Sequence, residues 1–172
     1  DNVPAQRQSL VDISQGKLPG VGLNADNLLN PLRQFFTEAR LKPGYVEVRS
    51  IDGLRVGDRY AAVAFWTGLM YSAHARAQVM ETLGSITPAE REASWLAAGR
   101  EGLRARVAGL PFQKVAGHLL ELSRTSLLER GLGEEAFLEP VERTIADGKN
   151  PADRLLELFN GRWKGSVSEL IR

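Results

Sequence analysis

The segment Tyr45-Val46-Glu47-Val48-Arg49-Ser50-Ile51 holds the residue types and spacing with most chemical potential in this chain. Apolar and polar residues alternate there with period two, which predicts a β-strand over 45–51. Alternation sends Tyr45, Glu47, Arg49 and Ile51 to one side and Val46, Val48 and Ser50 to the other. A carboxylate and a guanidinium then share one face. Strand physics alone leaves two readings open. The pair is either a structural ion pair on a solvated edge, or part of the wall of a polar cavity. In such a cavity Glu47 would bind a divalent cation through hard oxygens, and Arg49 would clamp a phosphate or carboxylate with two parallel hydrogen bonds.

Other reactive side chains are sparse. Cysteine is absent, so the chain has no disulfide, thiolate metal site or thiol nucleophile of its own. His74 and His118 fall on separate predicted helices without a second histidine at ligand spacing, and each reads as a packed or surface side chain. Trp66 and Tyr71 lie in the most apolar stretch; they read as core, or as the wall of a pocket where an indole N–H or phenol O–H finds a partner. Gly16-Lys17 does not make a phosphate loop, because Leu18 stands where Ser or Thr is required. Arg100, Arg104 and Arg106 are interspersed with Glu90, Glu92 and Glu101 and read as a solvated face.

The elements that must position these residues are mostly helical. The 172 residues carry 22 Lys+Arg against 21 Asp+Glu, a net charge of +1 that argues against a nucleic-acid binder. The length allows one domain with a buried core. Helices are predicted over 5–15 and over 25–37 behind an Asn24 cap, with Lys42-Pro43-Gly44 as the stop. Further helices are predicted over 58–83, from Thr87-Pro88-Ala89-Glu90 to about 106, and over 112–130, 134–147 and 150–159, with a short turn at 166–171. The middle of the 58–83 helix is apolar almost all round, which implies burial in a layer. Its apolar run, 60–70, is too short to span a bilayer, and no signal peptide precedes it; the expected location is the cytoplasm. Only 45–51 reads convincingly as a strand. A lone strand leaves its ladder groups unpaired, so it is expected to pair on both sides with segments from outside its own neighbourhood.

GYVEVRSID at 44–52 and its approach FFTEARLK at 35–42 resemble the Glu-x-Arg strand of glutamate–cysteine ligases. VAFWTGLMYS at 63–72 and RLLELFNGRWKGSVSELI at 154–171 are similar to further segments of the proteobacterial and plant-type branch, in the family's order. The resemblance implies a glutamine-synthetase-like catalytic fold, whose curved antiparallel sheet holds ATP, divalent metals and glutamate. It implies that residues 1–172 are one unit, the C-terminal part of a larger catalytic domain: loop, helix and active-site strand over 1–52, a helical layer over 53–172. The class is then α+β, predominantly helical, with one or a few strands completing an antiparallel sheet. An N-terminal half of the same enzyme would supply the remaining strands and metal-binding carboxylates.

The implied chemistry is phosphorylation of glutamate's γ-carboxylate by ATP, then attack of an amine on the acyl phosphate. Carried onto this sequence, Glu47 is a metal ligand for Mg²⁺ or Mn²⁺ and Arg49 a catalytic phosphate or carboxylate contact. Trp66 and Tyr71 are candidate substrate contacts. Pro31 and Thr37 replace residues common in the family, and one extra residue stands between Lys42 and Tyr45. These departures keep open a γ-glutamyl ligase with an amine other than cysteine, and a non-catalytic helical interaction or regulatory subunit. The chain alone is expected to turn over no ATP.

Overall fold

The computed structural model describes residues 10–17, 20, 24, 38–51 and 53–170, and the chain divides into two compact units, 1–52 and 53–172. In the first unit α1 spans Leu10–Ser14, inside the predicted 5–15 helix. The helix predicted over 25–37 lies outside the described residues. Strand β1 (Ala39–Lys42) and strand β2 (Tyr45–Val48) form an antiparallel hairpin in which Lys42 faces Tyr45, Arg40 faces Glu47 and Ala39 faces Val48. Pro43 and Gly44 are its two loop residues. Proline sets φ at the first position, and Gly44, at φ +87°, meets the positive φ that a type II turn requires at the second.

Two expectations about this strand are therefore corrected. On one side β2 pairs with the segment immediately before it and not with a distant one, because Pro43-Gly44 reverses the chain, and among the described residues β1 is the partner strand found. The strand also ends at Val48 and not Ile51. Pairing continues for one more bond, as the Arg49 N–H donates to the Glu38 carbonyl at 2.8 Å.

The second unit is a layered helical body. Helix α2 (Arg59–Tyr71) is followed by α3 (Ala73–Leu83), α4 (Pro88–Glu101), α5 (Phe112–Arg130), α6 (Glu139–Asp147) and α7 (Pro151–Asn160). The single helix predicted over 58–83 is two helices. Ser72 leaves the helical region (φ −94°, ψ 123°) and its hydroxyl caps α3 by accepting from the Ala75 N–H at 3.1 Å. A serine side chain offers the backbone this alternative to continued helix. At Thr87 the predicted start is present as a full capping box: the Glu90 N–H donates to the Thr87 hydroxyl, and the Thr87 N–H donates to the Glu90 carboxylate at 2.9 Å. Asn150 and Asp153 repeat the device on α7.

α4 ends at Glu101, short of the predicted 106, at Gly102 with φ +59°. A second hairpin follows, β3 (Arg106–Val107) with β4 (Leu110–Pro111), across Ala108 and Gly109, both at positive φ as a type I′ turn demands. Two-residue strands are too short to show alternation. The 45–51 segment is thus not alone as a strand, and the class is α+β, predominantly helical, with two small antiparallel sheets.

The core lies between α2 and α5. Ala64, Leu120, Leu127 and Leu138 are buried together, with Phe65, Val141 and Ile145 packed against them. Gly68 is buried where α2 crosses Ser123 of α5. The Ser123 hydroxyl, fully buried, donates to the Phe65 carbonyl at 3.0 Å. α5 closes on Gly131 in the left-handed region (φ +67°), whose N–H reaches the Leu127 and Leu128 carbonyls. Among the described residues no helix is long and apolar enough to cross a membrane.

Candidate functional site

The β1–β2 hairpin determines what Glu47 meets. A two-residue loop places position 40 directly opposite position 47. Arg40 donates to Glu47 Oε2 from Nε at 2.9 Å and from the terminal guanidinium nitrogen at 2.8 Å. Both side chains are half-buried, so this is a cross-strand ion pair shielded in part from solvent. The hydrogen bond from Arg40 holds the Glu47 carboxyl below the usual carboxylate range; partial desolvation opposes this, and the charges of Arg40, Lys42 and Arg49 add to it. Glu47 is therefore ionised at neutral pH.

Arg49 lies just past the strand and is half-buried. It contributes the weakest of the attractions acting on Glu47. The sequence pairs Glu47 with Arg49 along one strand, whereas the ion pair described at Glu47 runs across strands to Arg40. The signal was available: Pro43-Gly44 as a two-residue hairpin loop sets the register and with it Arg40 opposite Glu47.

A metal seat requires several hard ligands. Among the described residues no three of His, Asp or Glu stand together, and Glu47 spends Oε2 on a guanidinium. The described residues therefore do not by themselves fit a divalent cation, and no chemical step is derived through one.

Trp66 and Tyr71 sit on α2 in the second unit. Trp66 is half-buried, edge-on to Phe65 with ring centroids 5.9 Å apart. Tyr71 is exposed and borders a cavity of about 180 Å³ with Thr67, Ser72, Ser126, Glu129 and Arg130. The Arg130 guanidinium lies 5.7 Å from the Tyr71 ring centre and is braced by Glu134 at 2.7 Å. Neither aromatic is core in the sense of full burial, and of the two only Tyr71 lines this cavity. His74 and His118 are both exposed. Arg104 reaches Asp153 at 3.2 Å, so the basic cluster is partly tied into the fold.

The comparison with known proteins covers both units. The chain is 35% identical over 154 residues to the chloroplastic glutamate–cysteine ligase of Arabidopsis thaliana, covering 90% of this chain and 29% of that protein. It is 34% identical over 163 residues to the Medicago truncatula enzyme of the same name, covering 93% and 32%. With glutamate–cysteine ligase A of Oryza sativa subsp. indica it shares 32% over 167 residues, covering 95% and 34%. The chain thus spans about a third of the length of the curated relatives it matches. A family model described as glutamate–cysteine ligase family 2 matches residues 9–172, taking in α1, the Glu47 hairpin and every helix of the second unit. By that match, which runs through the Glu-x-Arg strand and the α2 and α7 segments alike, the chain belongs to glutamate–cysteine ligase family 2.

Proposed function

We propose that this chain forms part of an ATP-dependent ligase that makes γ-glutamylcysteine from glutamate and cysteine, with a site completed by an N-terminal half of the same enzyme. The observation that carries the reading is the family match across the hairpin that holds Glu47 and the Arg49 that follows it. In the proposed reaction a γ-carboxylate oxygen of glutamate attacks the terminal phosphorus of ATP, and the bond to ADP breaks. The amine nitrogen then attacks the acyl carbon, phosphate departs, and the nitrogen loses a proton. Arg49 faces the transferred phosphoryl group or the substrate carboxylate, where a guanidinium fork neutralises developing charge. Mg²⁺ or Mn²⁺ would reduce the same charge when bound, with Glu47 as one ligand among carboxylates from outside the described residues. Glu47, held ionised by its neighbours, has the charge state such a role needs. Tyr71, on the cavity wall, and Trp66 are the candidate substrate contacts on α2. The cytoplasm is the location proposed, whereas the plant relatives are named chloroplastic proteins.

The Arg40–Glu47 pair favours a second reading, in which the hairpin is structural and the chain is a non-catalytic subunit. The test is formation of ADP and γ-glutamylcysteine by the chain alone and by the chain co-expressed with the remainder of a plant relative. The expected result is no turnover alone and turnover in the complex, falling about a hundred- to a thousandfold for Arg49→Lys. Unchanged turnover in Arg49→Lys would return the pair to a structural role. A panel of amines in place of cysteine decides the amine.

A further inference from the structure

α2 is uncharged from Tyr60 to Tyr71, a composition suited to burial on every side. Only one side is buried. Ala61, Ala64, Gly68 and Leu69 face the core, while Tyr60, Val63 and Met70 are 63%, 62% and 39% exposed. Tyr60 extends the exposed apolar surface to Phe137, itself 49% exposed, through a ring contact of 5.5 Å. Residues 60, 63 and 70 lie along one stripe of the helix by its 3.6-residue period. Apolar surface gathered in this way marks a contact site, because leaving it in water costs free energy in proportion to its area.

We infer that the Tyr60–Val63–Met70 stripe of α2, with Phe137, is the seat of the remainder of the same enzyme, the polypeptide that the proposed function requires to complete the site. The inference rests on that reading and specifies where the contact is made. The relatives carry roughly two thirds of their length outside the matched region, so their matched third has that polypeptide tethered to it. A tethered segment acts at an effective concentration in the millimolar range. In the relatives it is therefore favoured over a second copy, which must be recruited from solution. The stripe is also neutral, which suits a permanent, desolvated contact better than a transient charged one.

The experiment co-expresses the chain with the unmatched remainder of the Arabidopsis thaliana relative and measures recovery of the complex and amide hydrogen exchange over 60–70. Val63→Asp puts a charge at an exposed position, and Val63→Ala is the conservative control; circular dichroism verifies that both fold. The expected result is a complex with wild type and Val63→Ala, at least tenfold less with Val63→Asp, and slowed exchange over 60–70 in the complex. Equal recovery with Val63→Asp, unslowed exchange, or no complex with wild type overturns the inference. So does a dimer of the chain alone that Val63→Asp dissociates, which would make a second copy the occupant. Failure of the ligase reading shows separately: a complex dependent on Val63 that forms no γ-glutamylcysteine removes the activity and keeps the docking surface.

Discussion

Gly68→Ala is expected to destabilise the helical unit although alanine is the better helix former. A Cβ at position 68 would stand 2.3 Å from Ser123 Oγ, 2.4 Å from the Ser123 carbonyl oxygen and 2.7 Å from its Cα. Two of those atoms are backbone, so no rotamer change clears them. Ordinary contact returns only if α2 and α5 separate by roughly 1 Å, given carbon contacts near 3.5–4.0 Å. Overpacking of this kind costs about 1–3 kcal/mol. The same movement loosens the bond from Ser123 to the Phe65 carbonyl, and such a bond contributes about 1 kcal/mol. Exchange of glycine for alanine in a helix returns about 1 kcal/mol. The net loss is about 2 kcal/mol, or roughly 6–10 °C in Tm for a unit of this size. Gly99→Ala, in α4 with nothing within 4 Å of the added carbon, is expected to raise stability by about 1 kcal/mol. Adding Ser123→Ala to Gly68→Ala should not restore stability, because the carbonyl and Cα remain. Urea unfolding followed by circular dichroism measures all three. A Gly68→Ala chain as stable as wild type would refute the close helix crossing.

Thr87→Ala and Asn150→Ala each remove a cap and should lower stability by about 1 kcal/mol in the same urea assay. The Thr87 side chain and backbone hold Glu90 below its ordinary 4.5, and the Asn150 backbone holds Asp153 below its ordinary 3.8. Both carboxylates thus stabilise fully above those ordinary values and lose their contribution as pH falls through the lowered folded values; acid titration of stability should become shallower in Thr87→Ala, which removes the hydroxyl bonded to Glu90, and not in Asn150→Ala, whose backbone N–H still donates to Asp153. Gly131→Ala should cost about 1–2 kcal/mol, since an L side chain at φ +67° is strained with or without neighbours. Arg40→Ala should move the Glu47 carboxyl upward further than Arg49→Ala does, because Arg40 supplies the largest attraction and Arg49 the smallest; carbon-detected NMR titration of Glu47 reads the difference.

Local chemistry made much of this chain legible as a sequence. The Thr87-Pro88-Ala89-Glu90 start is decided by residues within one turn of each other, so it is present in the structure as predicted, and the 112–130 helix keeps its predicted bounds. The Glu47 strand was legible from its alternation, and the family from ordered segments spread along the chain. Other features depended on residues far apart or on competing local choices. Ser72 could continue a helix or cap the next one, and the backbone alone does not choose between them. Gly68 carries no pattern; its requirement comes from Ser123, 55 positions later, meeting it across α5. The partner of Glu47 was decided by register: alternation assigns faces, but only strand pairing states which residue stands opposite, and that residue is Arg40. Hydrophobicity marked α2 for burial on all sides, while packing among the described residues of the second unit covers one side and leaves Tyr60, Val63 and Met70 exposed. A sequence records that a surface is apolar; which polypeptide lies against it is a property of tertiary and quaternary packing, because the hydrophobic effect has no direction of its own.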